Sequence, residues 1–296
     1  DRQTPVNDFV DRTIKWTSEL EAHLMKGSEL KFDEKFFKSS LYRPFVKKRL
    51  YFDKIIVHRI YLQNEIFKIA NDDDNMVICF SGLSSSKSFQ CLASNCVPSF
   101  DVLEKTQCLP LYFYDREGVR RDNITDWALK QFQSHYNDKA ITRLDIFHYV
   151  YAVLHDPAYR EKYRLNLKRE FPRIPFYEGF SKWAVWGERL MALHLGYEQA
   201  APFPLKRIDK APAPGKPPLA AKAILKADPT KGAIQLDSAT TLKGVPPAAW
   251  AYRLGNRSAI EWVLEYHKER KPKDPTIRDQ FNTYRFPDHK EKVIDL

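Results

Sequence analysis

Between Ala201 and Ala220 the chain carries six prolines and four alanines and little apolar bulk. Proline fixes φ and has no backbone N–H, so such a run suits neither a helix interior nor a central strand. It reads as a Pro/Ala-rich linker or long surface loop. The sequence therefore divides into 1–125, an α/β part with a basic hairpin region; 126–200, a helical part; the 201–220 stretch; and 221–296, a small α/β part expected to pack back on the rest. No repeat is visible, and helices and strands do not alternate as βαβ units. The fold class is α+β: a mixed sheet region in the N-terminal half, a helical region in the middle and a small strand–helix unit at the C-terminus.

Local patterns fill in this outline. Phe9, Trp16, Leu20 and Leu24 return on one face, which predicts a helix from about Asn7 to Lys26, stopped by Gly27. Lys54–Tyr61 is rich in β-formers. Asn75–Phe80 reads as a buried strand that ends in the polar loop Ser81–Ser88, and Cys108–Tyr114 is a further strand. Thr142 with Asp145, and Ser258 with Glu261, have capping-box spacing, the second opening a helix to about Glu269. Asp156-Pro157 caps and starts a basic helix that should run to Phe171, where Pro172 and Pro175 break it. Tyr177–Tyr197 is helical in spacing; Lys222–Leu225 and Ala233–Leu236 are short strands.

The net charge of +10 favours polyanionic partners, because neutralised phosphates release counterions. The surplus is clustered. Between Phe36 and Ile60, seven cations (Lys38, Arg43, Lys47, Lys48, Arg49, Lys54 and Arg59) face one carboxylate, Asp53, leaving +6. Phe36, Phe37, Tyr42, Phe45, Tyr51 and Phe52 interleave with them, a mixture that suits phosphates and bases. The other reading is a half-buried hairpin with ring-filled core and solvated lysine stems. A second cluster, Arg160, Arg164 and Lys168, recurs every four residues and would form a stripe on one helix face.

Several chemistries lack their residues. No apolar run approaches the roughly 20 residues of a membrane span, and no signal-peptide pattern opens the chain. Cys79, Cys91, Cys96 and Cys108 have no zinc-knuckle spacing and read as reduced, mostly core thiols of a cytoplasmic protein. Amino methyltransferases carry an Asp/Asn-Pro-Pro-aromatic motif; Val245-Pro246-Pro247-Ala248 lacks both the polar residue and the ring. Gly82–Ser88 is too short for a nucleotide-binding loop, although its amides or Lys87 could meet a DNA phosphate. Asp101, Glu104 and Lys105 have the composition of a nuclease site in the wrong order, and Asp72-Asp73-Asp74 reads as a solvated turn. His148, His155 and His194 lack metal-ligand spacing and read as hydrogen-bonded packing residues. No residue is assigned a catalytic, metal or cofactor role.

An ordered set of segments resembles a known family. They are Leu41–Phe45, Leu50–Asp53, Gln107–Tyr112, Arg121–Thr125, Asp145–Tyr151 with Leu154-His155 and Tyr159-Arg160, Pro172–Phe176, Leu193–Glu198 and Tyr252–Ala259. Their order and spacing, from about Phe37 to Trp262, are similar to the C-terminal specificity region of Type ISP single-polypeptide restriction-modification enzymes. The Pro/Ala-rich stretch near 211–220 departs from that pattern as a variable insertion. The start at Asp1 suits a piece of a longer polypeptide, and the resemblance implies a little more sequence beyond Leu296.

The resemblance implies a bacterial, phage-defence role: sequence-specific recognition of double-stranded DNA beside an adenine methyltransferase in the same polypeptide. S-adenosylmethionine, ATP and Mg would belong to the remaining parts, and no membrane is involved. The expected DNA-binding residues are Arg43, Lys47, Lys48, Arg49, Arg59, Lys87, Arg120, Arg164 and Lys168, with Arg43, Lys87 and Arg120 reading base edges. The family-typical segments are expected to be scaffold; Arg121, Asn123 and Arg257 could be network residues. Two rival readings stand beside this one: a self-contained nuclease, and a structural module docked on the methyltransferase with non-specific DNA contact.

Overall fold

The structure, a computed structural model, describes residues 16–68, 75–210, 221–272 and 282–296. Helix α1 (Ser18–Met25) precedes the antiparallel hairpin β1 (Phe37–Arg43) and β2 (Val46–Tyr51) and the single turn α2 (Gln63–Ile66). Strands β3 (Val77–Phe80), β4 (Cys91–Ser94), β5 (Val97–Pro98) and β6 (Gln107–Pro110) follow, then the hairpin β7 (Tyr112–Tyr114) and β8 (Arg120–Asp122). Helices α3 (Asp126–Tyr136), α4 (Arg143–His155), α5 (Pro157–Lys162) and α6 (Phe180–Leu195) form the middle. The C-terminal part contains β9 (Lys206–Asp209), β10 (Ala223–Asp228), β11 (Ala233–Asp237), β12 (Thr240–Lys243), α7 (Pro247–Ala251), the hairpin β13 (Arg253–Leu254) and β14 (Arg257–Ser258), α8 (Ala259–Tyr266) and α9 (Lys290–Asp295). The fold is α+β.

A three-stranded sheet, ordered β4-β3-β6, is the wall between two hydrophobic cores. Successive side chains of a strand point to opposite faces. Val77 and Cys79 accordingly enter one core and Ile78 the other; in β4, Leu92 joins the first while Cys91 and Ala93 join the second. Burial on both faces is why Val77–Phe80 reads as an unbroken apolar run rather than an alternating one. The first core unites the β1–β2 hairpin (Leu41, Phe45, Phe52) with the β10-β11-β12-β9 sheet and α8 (Ile234, Leu236, Trp262, Val263). The second packs α3, α4 and α6 through Phe132, Ile146, Tyr149, Phe180 and Met191. Helices α4 and α6 cross closely at Gly187, where a Cβ would lie 1.8 Å from the His148 carbonyl oxygen.

A hydrogen-bonded chain joins the cores. The Ala93 N–H donates to Tyr151 Oη (2.8 Å), so the Tyr151 hydroxyl turns its proton toward His194 Nδ1 (2.5 Å), and His194 Nε2–H is left for Tyr252 Oη (3.0 Å). Burial, helped by the Arg160 charge, pushes the His194 imidazole down to about 4. His155 donates from Nδ1 to the Tyr151 carbonyl and is pushed down to about 3, chiefly by burial. Both are neutral packing histidines.

Both capping boxes form, at Thr142/Asp145 and Ser258/Glu261, and Asp156 accepts from Ala158 N and Tyr159 N. Four local readings need correction. Residues 54–61 are turns, not a strand: the Asp53 carboxylate accepts from Ile55 N and Ile56 N, a local competitor to sheet pairing, and Arg59 and Tyr61 take left-handed φ of 52° and 49°. The basic helix ends at Lys162 rather than Phe171; the chain continues as a 3₁₀ turn, Asn166–Lys168, that buries Leu167. The strand foreseen at 108–114 is two strands, parted at the buried Leu111, whose N–H goes to the Met76 carbonyl. Strand β9 lies within the Pro/Ala-rich stretch, at proline-free residues and on the sheet edge, which tolerates flanking prolines. Residues 211–220 lie outside the described residues, as do Asp72–Asp74 and Phe9. Helix α1 starts only at Ser18, capped by the Thr17 side chain, so Trp16 lies outside it, and none of its residues is buried.

Candidate nucleic-acid interface

The cations marked in the sequence fall into two physical groups. Some are fastened to the protein. Arg43, at the end of β1, lies 4.3 Å from the Tyr42 ring centroid and 5.6 Å from that of Tyr266. Its guanidinium donates to Tyr266 Oη (3.0 Å), the Tyr42 carbonyl (2.7 Å) and Ser99 Oγ (3.4 Å). Lys47 is half-buried over Tyr197, with its Nζ 2.9 Å from the Glu198 carboxylate. The Phe45 ring between them packs into the first core beside His194, Tyr197 and Tyr252.

Others remain on the surface. On β2, Lys48 and Arg49 are exposed, Arg49 lying 4.5 Å from the Phe37 ring centroid. Arg59 is exposed in its left-handed turn, and Arg120 is exposed on β8 over Tyr112. Arg164 is exposed, with Glu161 at 3.9 Å. With α5 ended at Lys162, the stripe of Arg160, Arg164 and Lys168 does not form. Arg160 turns inward instead, donating from Nε to the Leu154 carbonyl and resting over Phe89.

The β3–β4 loop presents a polar surface tied down by its neighbours. Its base is closed by Ser81 N to the Gln90 carbonyl (3.0 Å) and Gln90 N to Ser81 Oγ (3.1 Å). Gly82 presses on the next loop so closely that a Cβ would meet the Lys105 carbonyl oxygen at 2.2 Å. Beyond it, Leu83, Ser84, Ser86, Lys87 and Ser88 are all exposed. Glu104 sits behind them and accepts from Ser85 Oγ (2.8 Å), Ser86 N (3.1 Å) and Ser86 Oγ (2.9 Å). These donors hold its carboxyl down to about 2. Ser84 N donates to the Lys168 carbonyl (3.0 Å), and Lys105 Nζ donates to the Ser84 carbonyl (3.2 Å). The β13–β14 turn closes the other side: a Cβ on Gly255 would lie 3.2 Å from Lys87 Cδ and 3.1 Å from Gln90 Oε1.

The loop thus gathers Lys87 and Lys168, 81 positions apart, with Lys105 and the hairpin bearing Arg253 and Arg257. Sequence reasoning singled out the first two. It passed over Glu104, whose only visible signal was the acid–lysine pair read as a misordered nuclease motif. Asn123 is a network residue, donating to the Pro110 carbonyl, whereas Arg121 is an exposed partner of Asp115. The four cysteines are free; burial pushes the Cys79 thiol up and Cys91 up to about 12. Among the described residues, no three His, Cys, Asp or Glu side chains gather as a metal site, and no helix is long and apolar enough to cross a membrane.

The α+β module thus presents an exposed, serine-rich loop with Lys87 at its tip and Lys105 and Lys168 beside it. The profile of the Type ISP C-terminal specificity domain matches residues 2–296, and the chain belongs to that family. It is similar to solved structures of three larger chains. The DrdV–DNA complex, determined by cryo-electron microscopy, shares 53% identity at a TM-score of 0.91 over 99% of this chain and 30% of DrdV. A nuclease-deletion mutant of the Type ISP restriction-modification enzyme LlaGI, in complex with a DNA substrate mimic, shares 26% at 0.78, over 98% of this chain and 26% of that one. The ATP-dependent Type ISP enzyme LlaBIII bound to DNA has the same fold, at 22% and 0.78, over 95% of this chain and 19% of its own. This chain therefore spans less than a third of each of these relatives. Comparison with curated proteins finds no match.

Proposed function

We propose that this chain is the target-recognition part of a bacterial restriction-modification enzyme and reads a specific sequence in double-stranded DNA. The observation that carries this reading is the likeness to DrdV, solved with DNA, across 99% of the chain at 53% identity. The exposed cations supply the physical means. Lys48, Arg49, Arg59, Arg120, Arg164 and Lys168 are free of burial or only partly buried and suit backbone phosphates, which fix register without reading sequence. Arg43 and Lys47, though marked as contacts by sequence, serve the hairpin's own packing. The chain has a non-catalytic role beside an adenine methyltransferase of the same polypeptide, in the cytoplasm. S-adenosylmethionine, ATP and Mg act in the other parts of that enzyme.

The test is selection of bound duplexes from a random library by the chain, at fixed moderate salt and without cofactor. One short motif should emerge. Binding that is salt-sensitive but indifferent to sequence would reduce the chain to a DNA clamp, and Mg-dependent cleavage by the chain alone would replace the reading with a nuclease.

A further inference from the structure

We propose that the tip of the β3–β4 loop, Leu83–Ser88, enters a groove of the duplex and meets base edges, and that Glu104 is the positioning residue that holds it in reading shape. The inference rests on the target-recognition reading above and names the element that performs it.

Three features of the tip carry it. The first is chemistry. Serine hydroxyls both donate and accept, so Ser84 and Ser88 can answer either kind of group on a base edge; Ser86, whose proton goes to Glu104, can still accept, and Lys87 brings a cation that suits guanine acceptors. These short side chains also let the backbone approach closely. The second is exposure: five of the six tip residues project into solvent, while Ser85, the sixth, is buried and turned back to Glu104.

The third is pre-organisation. Ser84 has a left-handed φ of 59°, a conformation disfavoured for a residue with a Cβ. Neighbours impose it from two sides, the Lys168 carbonyl on its N–H and the Lys105 ammonium on its carbonyl. Glu104 gathers Ser85 and Ser86 from beneath, and Gly255 leaves just enough room for Lys87 and Gln90. A surface loop with no function would not need support from three separate segments, around Glu104-Lys105, Lys168 and Gly255. A reading element does, since a loosely held contact loses its discrimination. Lys105 and Lys168, bonded to Ser84 through the ammonium and the backbone carbonyl respectively, bring two more cations beside the tip, where they can meet a phosphate backbone bordering the groove.

The test compares binding of the chain to a fluorescent duplex carrying the selected motif and to a random-sequence duplex of equal length. Glu104→Ala and Lys87→Ala should each lower affinity for the selected duplex about tenfold or more, while random-duplex affinity falls by about threefold at most. Glu104→Gln, which keeps an acceptor oxygen, should fall between wild type and Glu104→Ala. Melting temperature is followed in parallel. Should Glu104→Ala melt early, Lys87→Ala, at the exposed tip, still decides. Undiminished preference in Lys87→Ala, or equal losses on both duplexes, would overturn the loop's role and leave target recognition standing. A wild-type chain that shows no preference would overturn both.

Discussion

The β1–β2 hairpin flanks the first core and the β3–β4 loop caps the sheet between the two cores, and the two spend their charge differently. The hairpin has the densest run of cations in the chain, yet Arg43 is bound by Tyr266, Tyr42 and Ser99, and Lys47 by Glu198. The loop tip has a single lysine, held outward over a scaffold of serines and one carboxylate. Charge density in a sequence thus measures what a segment carries, not what it can offer. A guanidinium that has already found a ring face and several acceptors contributes rigidity. A lysine that its neighbours merely position is left available to a partner.

Acid should produce the largest separation between the two regions. His194 lies against Phe45 at the hairpin's turn and bonds to Tyr151 and Tyr252, with the Arg160 charge nearby. Folded, it takes a proton only at about 4, against an ordinary value of 6.5. The unfolded chain therefore binds more protons in that interval. Stability is full above pH 6.5, falls by about 1.4 kcal/mol per pH unit as pH drops toward 4, and loses nothing further from this group below that. His155 adds a loss of the same sign that continues to about 3. The loop's anchor behaves differently. Glu104 ionises at about 2 in the fold and 4.5 ordinarily, so its contribution is intact above pH 4.5 and fades only as pH falls through that range. Denaturant melts at stepped pH should show stability declining well before pH 4.5, and His194→Gln should flatten the first part of the decline.

Arg43→Ala comes next. It removes hydrogen bonds from a charged donor and uncovers two rings, and should cost about 2 kcal/mol of stability by urea unfolding while sparing sequence preference. Lys47→Ala should cost less, about 1 kcal/mol, by leaving Glu198 without its half-buried partner. Lys48→Ala is the smallest for the fold, within about 0.5 kcal/mol. It should instead weaken all duplexes alike and reduce the slope of log affinity against log salt by about one. A drop in sequence preference with Arg43→Ala, or a large loss of stability with Lys48→Ala, would erase the distinction drawn between fastened and available cations.

What the sequence disclosed was local. The caps at Thr142, Asp156 and Ser258 lie within three residues of their partners, so spacing alone reveals them. Val77–Phe80 announces itself by apolar continuity. The misses arise where a short side chain or a distant partner overrides the pattern. Asp53 captures the amides that a strand at 54–61 would have paired, and nothing in Arg160, Arg164 and Lys168 signals that the helix ends between them. The site was legible as a polarity change at Ser81 and as Lys87. That Tyr266, 223 residues away, claims Arg43, and that Glu104 claims the serines, are facts of tertiary packing that no window of sequence contains.

The most direct measurement is the ratio of affinities for the selected and random duplexes, determined side by side for wild type, Lys87→Ala and Arg43→Ala. If the loop reads and the hairpin supports, the ratio collapses by about tenfold or more in Lys87→Ala and holds in Arg43→Ala. The reverse pattern, a ratio lost with Arg43→Ala and kept with Lys87→Ala, would contradict that assignment and return base reading to the hairpin.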